Sequence, residues 1–252
     1  MARPRHDRDA GGDAGLLTAK AALREEVWAV LAAPGVARFP GPYGRIPNFV
    51  GAEAAARRLA ETAEWQAAAT IKANPDSPQW PVRQRALEDG KTVYMAVPRL
   101  AEARPFFLLD PARLDGTPRK ASSIKGASSA GQTVDLDDLA PVDLVVAGCV
   151  AVGTDGARLG KGGGFSDLEF AVASAAGLIG PKTVVATTVS EHQVLAAGRI
   201  PTTAHDIRVD LIVTPDRVLR PPAHRRRAGG IRWDELTEEK IAAIPLLGRL
   251  RP

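Results

Sequence analysis

Residues 142–177 read VDLVVAGCVAVGTDGARLGKGGGFSDLEFAVASAAG. An apolar run rich in valine is followed by four glycines with a lysine among them, and then by a second apolar run at helical spacing. The valine-rich part has the composition of a strand buried on both faces, and the last part that of an amphipathic helix. Together they read as a strand–loop–helix unit of a parallel sheet. Ligands usually bind at the carboxyl ends of such strands. Glycine backbone can approach a ligand that larger residues would exclude, and the unpaired N–H groups of a helix N-terminus attract anions. The segment Arg158–Ala171 therefore has two readings: a phosphate cradle charged by Arg158 and Lys161, or an ordinary turn. Generic motifs do not decide between them. A Walker A loop fails because Asp155 stands where its first glycine belongs and Gly162 follows Lys161. The dinucleotide fingerprint fails because Phe165 occupies its third glycine position.

Working outward, ATIKANP, KTVYMAVP, RPFFLLD, KTVVATTV and VDLIVTP are further short runs rich in Val, Ile and Thr, bounded by Gly, Pro and Asp. Helical patterns lie at LLTAKAALREEVWAVLAA, GAEAAARRLAETAEW and VRQRALEDG. In the first of these, Leu16, Leu23, Val27, Val30 and Leu31 share helical spacing, and Thr18 is a candidate N-cap. Strands of near-continuous apolar character alternating with helices predict a three-layer α/β/α architecture with a mostly parallel central sheet. The first fourteen residues, polar and rich in glycine, are expected to form a disordered tail. Residues 15–220 are expected to form the α/β domain. Residues 221–252 comprise a Pro/Arg-rich linker and a segment in which Trp233, Leu236, Ile241 and Leu246 are placed to dock a helix on the body.

Of the 252 residues 45% are hydrophobic, enough for a substantial core. The formal net charge of +4 favours anionic ligands only in a general way. Cys149 is the single cysteine, which excludes an internal disulfide framework and a thiolate zinc cluster; in its apolar run it reads as a buried structural thiol. No run approaches the ~18 apolar residues of a membrane span, and the N-terminus lacks the apolar centre of a secretory signal, so a cytoplasmic location with no membrane partner is expected. The run Arg225–Arg227 would support weak, salt-sensitive contact with nucleic acid, but no aromatic platform accompanies it and a solvated linker is the simpler reading.

The string R-L-G-x-G-G-G-aromatic-x-D resembles the nucleotide loop of the 5-formyltetrahydrofolate cyclo-ligase (methenyltetrahydrofolate synthetase) family. KAALR resembles that family's N-terminal K-x-x-x-R, GKTVYMAVPRL its second-strand segment, and AHDIRVDLIVTPDRV its C-terminal H-D-x-x-x-D-x-[IV]-x-T signature. Four motifs in order span Lys20 to Leu219. FPGPYGRIPNFVGAEAAARRL and KANPDSPQWPVRQRALEDGKT are similar to a divergent branch, the methenyltetrahydrofolate synthase domain-containing proteins. The resemblance implies a Rossmann-like cyclo-ligase fold, with ATP and a folate in a cleft over the sheet. It also implies an ATP-dependent ring closure of 5-formyltetrahydrofolate to 5,10-methenyltetrahydrofolate with release of ADP and phosphate. On this basis Lys20, Arg24, Gly160, Lys161, Gly162, Gly163, Gly164 and Phe165 are the expected nucleotide contacts. Arg158 and Lys161 are the expected catalytic cations, and Asp167 and Asp206 the expected Mg2+ carboxylates. Phosphoryl transfer suits this set, since it needs positioned cations more than a covalent nucleophile.

From the residues alone, Lys20 and Arg24 also read as a solvated helix face, Asp167 as a complement to its helix dipole, and Asp206 and His205 as turn hydrogen-bonders. The sequence departs from the cyclo-ligase pattern in two places. Ser166 stands where a second tyrosine is usual, and no folate-holding glutamate lies in Asn74 to Arg83, where Asp76 is a shorter substitute and Arg83 and Trp80 are candidate walls of a replacement pocket, with Trp80 reading equally as a core residue. The alternative to a cyclo-ligase is a nucleotide-binding homologue without that activity, serving thiamin-related or other heterocycle metabolism.

Overall fold

The computed structural model describes residues 9–114, 116–203, 206–223 and 230–252. His205, the run Arg225–Arg227 and the first eight residues of the expected tail lie outside the described residues. The strands are β1 (Thr70–Ala73), β2 (Thr92–Ala96), β3 (Phe106–Leu109), β4 (Gln132–Val134), β5 (Leu144–Val146), β6 (Ala151–Gly153), β7 (Arg158–Leu159), β8 (Val184–Thr188), β9 (Val194–Leu195), β10 (Leu211–Val213) and β11 (Val218–Leu219). The helices are α1 (Asp9–Leu31), α2 (Ala52–Ala60), α3 (Ala63–Ala67), α4 (Trp80–Glu88), α5 (Pro118–Ala121), α6 (Ile124–Ala130), α7 (Phe165–Ala175), α8 (Glu238–Ala243) and α9 (Pro245–Leu250).

The main sheet has the order β11-β10-β8-β5-β1-β2-β3-β4. Its centre, from β10 to β2, is parallel, and β3, β4 and β11 are antiparallel additions at the edges. Side chains alternate across it as the pleat requires. Ile71, Ala73, Val93, Met95, Leu144 and Val146 pack with Leu59, Val82 and Leu87 of α2 and α4. Tyr94, Ala96, Val145, Val185 and Ile212 face the other way, onto Leu168 and Val172 of α7. Five of the six strands expected from the sequence, and the first half of the sixth, lie in this sheet, which is covered on both faces.

Two expectations need correction. The run VDLVVAGCVAV is not one strand, because β5 ends at Val146 and β6 belongs to a separate small sheet of order β7-β6-β9. At the break the Gly148 N–H donates to the Asn74 side-chain oxygen instead of to a neighbouring strand. Both halves are buried, each in its own sheet, so hydrophobicity could not mark the boundary between them. The glycine segment consequently leaves the β6–β7 hairpin rather than the end of a main-sheet strand. Cys149 sits in that break, and its thiol, as expected, is buried; desolvation pushes its pKa up to about 11, with the Thr187 hydroxyl 3.3 Å away.

The second correction concerns the N-terminus, where α1 begins at Asp9, so residues 9–14 of the expected tail are helical and Thr18 lies inside the helix rather than at its cap. Composition judges a segment in isolation, whereas extending a helix already nucleated and packed gains a hydrogen bond for each residue ordered. Leu23, Val27, Trp28 and Leu31 of α1 pack on Val150, Ala151 and Leu159 of the small sheet, while Val30 faces outward. At the other end, Ile241, Ile244, Leu246 and Leu247 are buried in the core on the α7 side, with Trp233 and Leu236 packed against it. Among the described residues no helix is long and apolar enough to cross a membrane.

Candidate functional site

A cleft of about 2130 Å³ runs along the glycine segment. Three elements distant in sequence bring cations to it. With the apolar stripe of α1 committed to the small sheet, Lys20 and Arg24, four residues apart, share the face that looks into the cleft. Arg24 donates from Nε to the Gly160 carbonyl at 2.7 Å, and burial lowers its pKa from the usual arginine value. Lys20 is buried and places Nζ 2.7 Å from each carboxylate oxygen of Asp206. Asp206 also accepts from the Thr203 N–H at 2.6 Å.

Arg158, on β7, is buried as well. Its Nη1 donates to the Gly148 carbonyl at 3.0 Å and its Nη2 to Asp167 Oδ1 at 2.6 Å, while Nε has no acceptor. Burial acts to lower the Arg158 pKa, but the Asp167 charge and hydrogen bond outweigh it and the net direction is upward. The guanidinium is therefore a permanent positive charge, with two of its five N–H groups engaged by Gly148 and Asp167. Lys161 is half exposed, its Nζ 3.4 Å from Asp76 Oδ1.

The loop ends at Gly164, which takes the N-cap position of α7 with left-handed φ of 66° and no side-chain cap, so the first-turn amides of α7 receive no side-chain acceptor there. Gly162 has φ of 105°, and a Cβ added to it would lie 3.4 Å from Arg24 Cζ. Exchanging it for alanine costs backbone strain of about 1–3 kcal/mol, while the added methyl only reaches ordinary contact with that guanidinium. Gly162→Ala is expected to lower the thermal midpoint by several degrees. Thermal unfolding checks this, and an unchanged midpoint would show that the loop relieves the strain by relaxing.

Asp167 and Asp206 lie on adjoining segments, since the Ile207 N–H points at Asp167 Oδ1 from 3.5 Å. Each is now paired with a cation, Arg158 or Lys20. Among the described residues no three His, Cys, Asp or Glu side chains gather as a metal site by themselves. Two carboxylates beside a glycine loop ringed by cations nevertheless have the donor chemistry of a Mg2+ site, since that ion takes one or two protein carboxylates and completes its shell with other oxygens.

The other wall of the cleft differs from what the sequence suggested. Trp80 and Arg83 do not line it. Arg83 is fully buried and donates to the carbonyls of Asn74, Pro75, Asp76 and Ser122, so it braces the segment after β1; burial, opposed by the Asp76 charge, pulls its pKa down to about 10. Trp80 donates from its indole to Ser122 Oγ at 2.9 Å, with the Arg119 guanidinium 5.2 Å over its ring. What that brace presents to the cleft is Asn74, Pro75, Asp76 and Ser77. Gly148 forms the floor there. A Cβ on it would stand 2.9 Å from Gln79 Oε1, 3.0 Å from Ile46 Cγ2 and 3.1 Å from Asp76 Oδ2. The Gln79 amide is buried with neither its oxygen nor its nitrogen paired.

Three groups escaped the sequence reading. Lys72 of β1 projects to the α7 side, where its Nζ is 2.8 Å from Glu169 Oε2, and the Asn74 amide donates to the same oxygen at 3.0 Å. The signal was present: a lysine within the central strand TIKA and a glutamate within the apolar run of α7 are charges in segments that have to be buried. Lys240 of α8 reaches the loop from the C-terminal segment, where nothing in the local sequence marks it. Gln79 was hidden by its proline-rich surroundings.

This geometry defines a class, an α/β/α protein whose cleft collects cations around a glycine-rich helix N-terminus. The chain belongs to the 5-formyltetrahydrofolate cyclo-ligase family, whose model matches residues 16–215. It is 37% identical over 234 residues to the methenyltetrahydrofolate synthase domain-containing protein of Mus musculus, covering 92% of this chain and 63% of that protein. The Bos taurus protein of the same name is 36% identical over 231 residues, covering 91% of this chain and 61% of that one. The chain thus spans about three fifths of the length of these relatives. A solved 5,10-methenyltetrahydrofolate synthetase from Aquifex aeolicus shares the fold, with a TM-score of 0.52 at 21% identity over 82% of this chain and 94% of that one.

Proposed function

We propose that this chain is an ATP- and magnesium-dependent cyclo-ligase that converts 5-formyltetrahydrofolate to 5,10-methenyltetrahydrofolate with release of ADP and phosphate. The observation that carries the reading is the convergence of Lys20, Arg24, Arg158 and Lys161 on Gly160–Gly164 at the uncapped start of α7. A polyanion is the ligand such a site attracts, through full charges and backbone dipoles together. The cleft has about twice the volume of a large single-ligand pocket, which reaches ~1,000 Å³, so two substrates fit side by side.

ATP supplies the phosphoryl group that activates the formyl oxygen, and Mg2+ would be held by Asp167 and Asp206. Arg158 and Lys161 are placed to stabilise charge on the transferring group, Arg158 from a buried position where its field is weakly screened. Lys20 and Arg24 hold the remaining phosphate oxygens. Asp76, with Gln79 beneath it, offers the polar wall for the heterocycle in place of the missing glutamate, and the tetrahydrofolate substrate lies between that wall and the glycine loop.

Incubating the protein with 5-formyltetrahydrofolate and MgATP is expected to produce the absorbance of methenyltetrahydrofolate, and omitting either ATP or magnesium is expected to abolish it. Folded protein that binds MgATP yet forms no methenyl product would overturn the proposed reaction.

A further inference from the structure

The C-terminal segment, beyond residue 215 where the family match ends, returns to the glycine loop. Arg232, Asp234, Leu236 and Lys240 all line the cleft. Residue 240 is anchored, because the neighbouring Ile241 is buried, as are Ile244, Leu246 and Leu247, in the core beneath α7. The Thr237 hydroxyl caps α8 by accepting from the Lys240 N–H. From this anchored turn the Lys240 ammonium donates to the Gly163 carbonyl at 3.3 Å and stands 5.3 Å over the ring of Phe165. It is only 3.2 Å from where a Cβ on Gly164 would lie, so the helix N-cap is kept open for it by a residue without a side chain.

We propose that Lys240 is a phosphate-contacting residue and that α8 forms one wall of the nucleotide site; this rests on the phosphate-binding reading of the glycine loop. A long hydrogen bond to a neutral carbonyl satisfies a small part of what an ammonium group can do. A phosphate oxygen carries a full negative charge, so its Coulombic attraction for the ammonium exceeds that of a carbonyl dipole. With three donors on one flexible stem, the lysine can bond a phosphate while retaining Gly163. The aromatic face of Phe165 adds a second attraction that holds the ammonium over the loop.

The test uses the full chain, with MgATP as the probe. Lys240→Met keeps the stem and removes the charge. It is expected to weaken MgATP binding in calorimetry about tenfold and to raise the KM for ATP similarly, while the KM for 5-formyltetrahydrofolate and the thermal midpoint of the unliganded protein hold. Lys240→Arg is expected to restore ATP affinity to within about threefold. A parallel Lys161→Ala variant serves as the reference for the loop itself. If wild-type protein binds MgATP and Lys161→Ala weakens it while Lys240→Met leaves affinity unchanged, the role of Lys240 is overturned and the loop reading stands. If wild-type protein binds no MgATP, the loop reading fails, and the role of Lys240 with it. Equal loss of affinity in the methionine and arginine variants, accompanied by a lowered thermal midpoint, would assign Lys240 to holding α8 in place and would also overturn the proposal.

Discussion

Arg158→Ala is expected to lower ATP-dependent turnover by about a hundredfold to a thousandfold. Its guanidinium is held from below by the Gly148 carbonyl and from the side by Asp167, and its Nε is left without an acceptor. Removing a preorganised cation from beside developing charge costs about 3–4 kcal/mol of barrier, which corresponds to that range. The fold should survive, because Asp167 keeps contact with solvent and is not stranded as a buried charge. Arg158→Lys should not rescue. An ammonium on a shorter stem cannot reach Gly148 and Asp167 at once while offering a third donor. Steady-state kinetics alongside thermal unfolding decides the matter. Turnover within a few-fold of wild type in a folded Arg158→Ala protein would remove Arg158 from the catalytic set.

The largest stability effect is expected at Lys72, which no sequence motif marks. Lys72 and Glu169 form an ion pair whose side chains are 3% and 5% exposed, and the Asn74 amide donates to the same glutamate oxygen. Removing one partner of such a pair leaves an unpaired buried charge and costs about 3–5 kcal/mol. In a domain of this size that corresponds to a drop of about 10 °C or more in thermal midpoint. Lys72→Met should show this drop, and the double variant Lys72→Met with Glu169→Leu should recover most of it, since apolar groups of similar volume carry no desolvation penalty. A single variant within 2 °C of wild type would mean that the pair is solvated in solution. Because Asn74 ties this pair to the Gly148 amide and to Ser166 Oγ, the same substitution should also loosen the floor of the cleft. The pair therefore belongs to both the core and the site.

The candidate site residues were named through a resemblance carried by whole motifs. Local rules alone left the glycine loop open between a phosphate cradle and a turn, and Lys20 and Arg24 readable as a solvated face. Four residues separate neighbours on a helix face, and glycine is favoured where φ is positive. Their convergence could not be read, since Lys20 and Asp206 are 186 residues apart and meet only through the packing of α1 on the small sheet. The substrate wall was the least legible part. Arg83 read as a candidate pocket wall, and Trp80 as either wall or core, but Arg83 turns inward to satisfy carbonyls of the loop after β1 and of Ser122, and the Trp80 indole donates to the Ser122 hydroxyl. Orientation of that kind depends on which backbone groups lack partners, and this is a property of the folded chain.

By itself the sequence determined the layered architecture and the position of the glycine segment before α7, because burial periodicity and glycine backbone geometry act over distances of a few residues. Only the tertiary structure decided that the apolar run around Cys149 divides between two sheets, that Lys72 and Glu169 neutralise each other beneath the cleft, and that α8 brings Lys240 to the glycines. Hydrophobicity tells a segment to be buried without telling it against what, and the partners are chosen when distant segments compete for the same limited interior.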